Sequence, residues 1–346
     1  MLPTMIRPPK APLLHHDAPR GSATAAAATP VPAWLRRAVP DAQTLAAQSV
    51  EPNALEDVAL AAGAALCALD AVVRREEKWA GAWRQRLALA AAATTARQAG
   101  RIEGEIALRD AVLLTRPGDD VGPAGRMLLG WRRLAGTPAE KLLTEASIGA
   151  VLDDFGLARD DERVSELMDD VRQLAASGGT VAMMTGAIAS AERYGYGRVL
   201  GAFIADALLA QRLGWAHAVP LLGTEAALAA GAARRRRDLA AAVASAETVD
   251  CAKNLLAAQA RAALRAIDLS AELGRRAEKL LGIAPKLRAK GADTVVQKLL
   301  SGDAMVASDP VAGISDRGLR RLFDRLMELG AVRELSGRPT FRTYGL

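Results

Sequence analysis

The stretch Ile314-Ser315-Asp316-Arg317-Gly318-Leu319-Arg320-Arg321-Leu322-Phe323-Asp324-Arg325-Leu326-Met327-Glu328-Leu329-Gly330 decides the reading of this chain. Leu319, Leu322, Phe323, Leu326 and Leu329 recur at helical spacing and make one apolar stripe. Ser315 stands where a hydroxyl can cap the helix, Asp316 suits the positive N-terminus, and Gly330 stops it. Downstream, Val332 to Leu335 and Thr340 to Tyr344 flank the turn Ser336-Gly337-Arg338-Pro339, which predicts a β-hairpin. Upstream, Val295, Val296, Leu299 and Leu300 mark a helix, followed by a linker with Asp309-Pro310. Helix, short helix or turn, capped helix and hairpin is the order of a winged helix-turn-helix, expected over residues 286–346.

Opposite the stripe lie Arg317, Arg320, Arg321 and Arg325, and the hairpin adds Arg333, Arg338 and Arg342. Arginine pairs bidentately with guanine O6 and N7, and a wing arginine reaches phosphate or the minor groove. Ser315, Arg317, Arg320, Arg321, Arg325, Arg338 and Arg342 are therefore the candidate DNA-binding residues. Two other readings stand beside this one. The arginines could be a solvated face paired with Asp324, Glu328 and Glu334, or the winged helix could contact a protein.

Working outward, the chain has 346 residues, a net charge of +6, 51% hydrophobic residues and 3% aromatic residues. Much of the hydrophobic fraction is alanine, the best intrinsic helix former. The expected fold is mainly α: a multi-helix bundle body over 51–285 with the small α+β domain behind it. This composition argues against a β-sandwich, a disulfide scaffold and a metal protein. Residues 286–346 carry about +4, residues 1–50 about +3, and the body is near neutral, so basic character gathers at the two ends. Residues 1–50 hold half of the 16 prolines and the run Ala23 to Ala28, and read as a disordered leader. Trp34, Leu35 and Val39 near its end are expected to dock on the body.

Helical spacing runs through Leu55, Val58, Ala62, Leu66, Leu69 and Val73, after a capping-box-like Asn53 and Glu56. Further helices are expected over Trp79 to Gln98 and Ile102 to Leu114, and from Pro123. Another opens at Thr137-Pro138, with threonine as its cap. Residues 160–214 read as three helices broken at Ser177-Gly178-Gly179 and Tyr194-Gly195-Tyr196-Gly197. Val199 to Leu213 is apolar nearly all round and is expected at the centre. Thr224 opens a long helical region to Leu281, in which the part from Thr248 would span about 50 Å.

Cys67 and Cys251 each sit in an apolar stretch and read as buried free thiols of a reducing compartment. No nucleotide loop, nucleophile elbow, HExxH or CxxC pattern is present, so neither a cofactor nor a metal is expected. The first twenty residues lack a signal-peptide core, and no apolar run reaches the ~18 residues of a membrane span. The expectation is a soluble cytoplasmic protein with no membrane partner.

Three other charge groups stand out. Arg234 to Arg237 is the densest run, read as an exposed turn or as a phosphate contact. Glu105 and Arg109 are spaced as an i,i+4 pair and read as helix-surface pairing, while Glu103, Arg109, Asp110 and Asp119 form the enzyme candidate. Asp153-Asp154, Asp160-Asp161 and Asp169-Asp170 match no calcium loop and read as solvated helix ends.

The segments Asp57 to Ala71, Trp79 to Leu89, Leu108-Arg109-Asp110-Ala111, Pro117 to Arg126, Ala205 to Trp215 and Ser315 to Leu346 resemble a bacterial family of unknown function, numbered 1403 among such families. The resemblance covers nearly everything after residue 50 and implies no established activity. The helices around Arg101-Ile102-Glu103-Gly104 are also faintly similar to the N-terminal region of Fic-type AMP transferases. The catalytic histidine motif of those enzymes has no counterpart here, and Ala99 stands where their inhibitory helix has Ser or Thr. AMP transfer is therefore not expected.

Three functions follow from these readings. The first is DNA binding, as a regulator or an accessory of replicon maintenance. The second is a protein-interaction subunit that docks a partner or itself. The third is an enzyme built on the Glu103 group, which no nucleophile–base pair or phosphate loop accompanies.

Overall fold

Alanine-rich helices pack closely because little side chain keeps their axes apart, and this chain uses that property throughout. The computed structural model describes residues 31–39, 55–116, 118–176, 178–225, 242–338 and 340–346; over 242–249 it describes the backbone. Thirteen α-helices and three short strands are formed by these residues. Residues 31–346 make one compact unit.

The first layer is long and nearly aromatic-free. Helix α1 (Ala33–Ala38) lies on α2 (Leu55–Val73), and α2 packs along α11 (Ala242–Ile283). Helix α11 has 42 residues, about 63 Å at 1.5 Å per residue. Its described inner face is mostly Ala and Leu, from Leu255 to Leu280. The segment expected to be unstructured to residue 50 thus contains a helix. Arg36 of α1 grips Asp268 of α11 with two hydrogen bonds of 2.9 and 2.6 Å, and Leu35 is buried. Trp34 stays exposed.

The second layer is built around α3 (Ala80–Gln98), which packs on α5 (Gly122–Gly136), with α4 (Glu105–Leu113) alongside. Helices α6 (Ala139–Leu142), α7 (Glu145–Phe155), α8 (Asp161–Ala176), α9 (Thr180–Arg193) and α10 (Gly197–Leu213) follow. The helix expected from Thr137-Pro138 opens as α6, with Pro138 rather than Thr137 at its cap and no side-chain bond there, whereas the Thr144 hydroxyl accepts from Ser147 N at 3.2 Å and caps α7. Trp131, Phe155 and Phe203 cluster with ring centroids 5.8 to 6.4 Å apart, and Trp131 Nε1 donates to Thr95 Oγ1 at 2.9 Å. Helix α10 is buried on every residue from Leu200 to Ala210, as its apolar sequence predicts. Asp206 lies within that run and accepts from the backbone N–H groups of Leu221 (2.8 Å) and Leu222 (3.1 Å).

Helix α12 (Ala292–Ser301) reaches α3 where Gly81 faces the backbone of Ser301. A Cβ at residue 81 would stand 2.8 Å from Ser301 Cα and O. Gly81→Ala should therefore push α12 away and cost about 1–3 kcal/mol, as overpacking does. Urea unfolding reads this directly, and an unchanged midpoint would mean the contact is not tight.

Beyond α12 come strand β1 (Met305–Val306), α13 (Asp316–Glu328), β2 (Arg333–Glu334) and β3 (Thr343–Gly345). The strands form an antiparallel sheet of order β1-β3-β2, with Met305 opposite Tyr344 and Arg333 opposite Gly345. The hairpin is at the expected place, and β1 is a third strand beyond it.

One further expectation is corrected. Cys67 and Cys251 are exposed, not buried. Cys67 lies on α2 away from the stripe of Val58, Ala61, Ala62, Ala65 and Leu69, because alanines rather than the thiol fill the close contact. The capping box at Asn53 and the run Arg234–Arg237 lie outside the described residues.

Candidate functional site

Helix α13 is the most strongly amphipathic segment of the C-terminal region, and its apolar face is fully used. Leu319, Leu322, Phe323 and Leu326 are buried, and Phe323 stacks on Tyr344 of β3 at 4.4 Å between ring centroids. Ser315 Oγ accepts from Gly318 N at 3.2 Å, which is the expected cap. The other face is open: Arg317, Arg320, Arg321 and Arg325 are all exposed.

The candidate arginines divide by partner. Arg325 pairs with Glu328 at 3.1 Å, and Arg342 lies 3.7 Å from Glu334. Such exposed pairs hold little energy. Arg338 at the hairpin tip forms an ion pair with the buried Asp110 of α4. Arg317, Arg320 and Arg321 have no ion-pair partner among the described residues. The hairpin also exposes Phe341 at φ +53°, a left-handed conformation that few non-glycine residues adopt.

A second basic strip sits beside α13. Lys286, Arg288 and Lys290 are exposed on the segment that follows α11, and Lys290 Cγ lies 3.2 Å from where a Cβ on Gly313 would stand. Between this segment and α13 is a cavity of about 520 Å³. These three charges alternate along 286–290, and the sequence does not say that this segment lies beside α13.

Beneath the sheet lies a buried polar network that joins the C-terminal segment to the body. Asp303 accepts from Arg86 of α3 and from Arg109 Nε of α4, the latter at 2.5 Å, and all three side chains are buried. Arg86 Nη2 also donates to the backbone carbonyls of Asp303 (3.2 Å) and Leu346 (3.5 Å). Burial pushes the Asp303 carboxyl up, but Arg86 and Arg109 together hold it below its ordinary value. Arg132 adds a further cation. Burial lowers it, Asp303 opposes that, and its Nε has no hydrogen-bond partner among the described residues.

The group around Glu103 does not assemble. Arg109 turns inward to Asp303 rather than pairing with Glu105, and Asp110 is taken by Arg338. Glu103 pairs with Arg101 at 2.5 Å, and Asp119 is exposed. Of the aspartate pairs, Asp154 meets Arg133 and Asp160 meets Arg163. Asp161 meets Arg159, Asp169 meets Arg172, and Asp170 meets Arg193. Among the described residues no group of three or more His, Cys, Asp or Glu is arranged to hold a metal, and no helix is long and apolar enough to cross a membrane.

Comparison with known families is decisive on one point. The family described as a protein of unknown function (DUF1403) matches residues 21–346. The chain belongs to that family. Neither a curated protein nor a solved structure matches it. Membership in DUF1403 covers the helical body, the buried Asp303 network and the arginine face of α13 alike.

Proposed function

We propose that this DUF1403 chain binds duplex DNA through α13, with residues 292–345 acting as a winged helix. The observation that carries the reading is the row Arg317, Arg320 and Arg321, exposed on a capped helix and without ion-pair partners among the described residues. The order α12, β1, turn, α13, β2, β3 and the sheet order β1-β3-β2 support it. In place of a full second helix stands a turn closed by the Val311–Ile314 bridge. Arg338 is held by Asp110, so α13 and not the hairpin tip makes the main contact. Lys286, Arg288 and Lys290 supply further phosphate contacts. The exposed free thiols suit a reducing, cytoplasmic compartment.

Binding of a random duplex to the full chain should fall steeply with salt. Arg317→Ala with Arg321→Ala should reduce the log–log salt slope by about 2, since each phosphate contact contributes roughly 0.9. Both positions are exposed, so the fold should hold. Fluorescence anisotropy at several salt concentrations measures the slope, and an unchanged slope in the double variant overturns the proposal.

A further inference from the structure

The cavity beside α13 combines two kinds of lining that a phosphate backbone alone does not call for. Its floor is apolar: Ile283 and Leu287 are half-buried, Leu322 is buried, and Leu329 is 36% exposed. Its rim is cationic, with Lys286 and Arg288 on one side and Arg321 and Arg325 on the other, and no acidic residue lines it. Along α13 the lining runs from Gly318 to Leu329, about 16 Å or three helical turns. Phosphates would use the rim and leave the floor wet. A segment with apolar side chains on one face and carboxylates along its edges would use both.

We infer that this groove docks an acidic amphipathic helix of a protein partner. Its leucine-type side chains cover Ile283, Leu287 and Leu329, and its carboxylates meet Lys286, Arg288 and Arg321, Arg325 being already paired with Glu328. Charge complementarity sets the sign of the occupant, and the three-turn length of the groove sets its size. Of the stretches of this chain outside the described residues, 1–30 and 226–241 are net basic and have the wrong sign, and 40–54 has only Asp41 and Glu51 for carboxylates and only Leu45 and Val50 as large apolar residues, too few to cover both rim and floor. The groove shares Arg321, Lys286 and Arg288 with the proposed DNA contacts but not Arg317 or Arg320, so a change at Arg317 tells the two properties apart.

The test uses the full chain and no DNA. A fluorescein-labelled 14-residue peptide with Leu at helical spacing and Glu between is titrated by anisotropy, beside a control with Ser in place of Leu. The Glu/Leu peptide should bind saturably and at least about tenfold more tightly than the Glu/Ser control, a difference of one apolar anchor or more. Lys286→Glu with Arg288→Glu, both exposed, should weaken it at least about tenfold, as should Leu287→Glu. Circular dichroism shows that each variant is folded. Arg317→Ala, outside the groove, should leave peptide binding unchanged while it lowers the DNA salt slope, which separates failure of one reading from failure of the other. Equal binding of the two peptides overturns the inference and makes the surface a polyanion site only. Equal binding of the Glu/Leu peptide by the wild type and the charge-reversed variant also overturns it.

Discussion

Replacing Asp303 with alanine should destabilise the chain by about 3–5 kcal/mol, the usual cost of removing one partner from a buried ionic group. The variant would leave Arg86 and Arg109 buried with no carboxylate, and Arg132 close by without the one charge that opposes its desolvation. The damage would spread beyond the charges. Strand β1 begins two residues after Asp303, and Gly345 of β3 lies so close that a Cβ there would stand 2.6 Å from the Asp303 carbonyl oxygen. The sheet and the stacking of Phe323 on Tyr344 should loosen together, so protease sensitivity should rise first between 303 and 346. Urea unfolding at neutral pH measures the loss, and a change below about 1 kcal/mol would show that the network does not hold the segment down. Because Asp303 titrates below its ordinary value, its contribution is complete above about pH 4 and disappears as pH falls further.

Asp206 should impose the opposite dependence. It is fully buried inside α10, and burial pushes its carboxyl up to about 7 although the N–H groups of Leu222, Leu221 and Gly223 pull it down. A folded value above the unfolded one means that the native state holds a proton the unfolded state has released. Stability from this group is complete below about pH 4 and is lost as pH rises through about 7. The gap between the ordinary 3.8 and about 7 corresponds to roughly 4 kcal/mol. Measured against Asp206→Asn, which cannot ionise, the wild type should lose up to that amount between pH 4 and pH 8. The affected loop also carries Glu225, which binds Arg261 at 2.8 Å and Arg265 on α11, so loosening should be felt along the long helix. A constant difference between the two proteins across this range would refute the assignment. Together the two aspartates favour a stability maximum near pH 4–5, with different groups limiting it on either side.

The parts of this fold that were legible in the sequence are those set by local chemistry. Helix α13 follows from the spacing of Leu319, Leu322, Phe323 and Leu326, and from Ser315 in front of them. Helices α8, α9 and α10 follow from the glycine breaks between them. What could not be read depends on distant partners. Arg86 and Asp303 are 217 residues apart, and Arg109 fits a local pairing rule with Glu105 that the folded chain does not use. Strand β1 has two residues, too few for alternation to show. Cys67 looked internal because alanine makes a helix apolar on every side, so hydrophobicity alone does not say which face is covered. The arginine face of α13 was legible, whereas the strip from Lys286 to Lys290 beside it belongs to another element and only folding brings it there.

The long separation within the Asp303 network also bears on how the chain is made. Arg86, Arg109 and Arg132 leave the ribosome well before Asp303, the carboxylate that pairs with the first two and lies within electrostatic reach of the third, by about 170 to 220 positions. At bacterial and eukaryotic elongation rates of roughly 5–20 residues per second, that interval lasts on the order of 10–40 s. Throughout it, the junction of α3, α4 and α5 holds three guanidinium groups that water must keep solvated. The body therefore cannot dry its interior at that junction during synthesis, and its final closure waits for the arrival of the carboxylate and the strands that follow it.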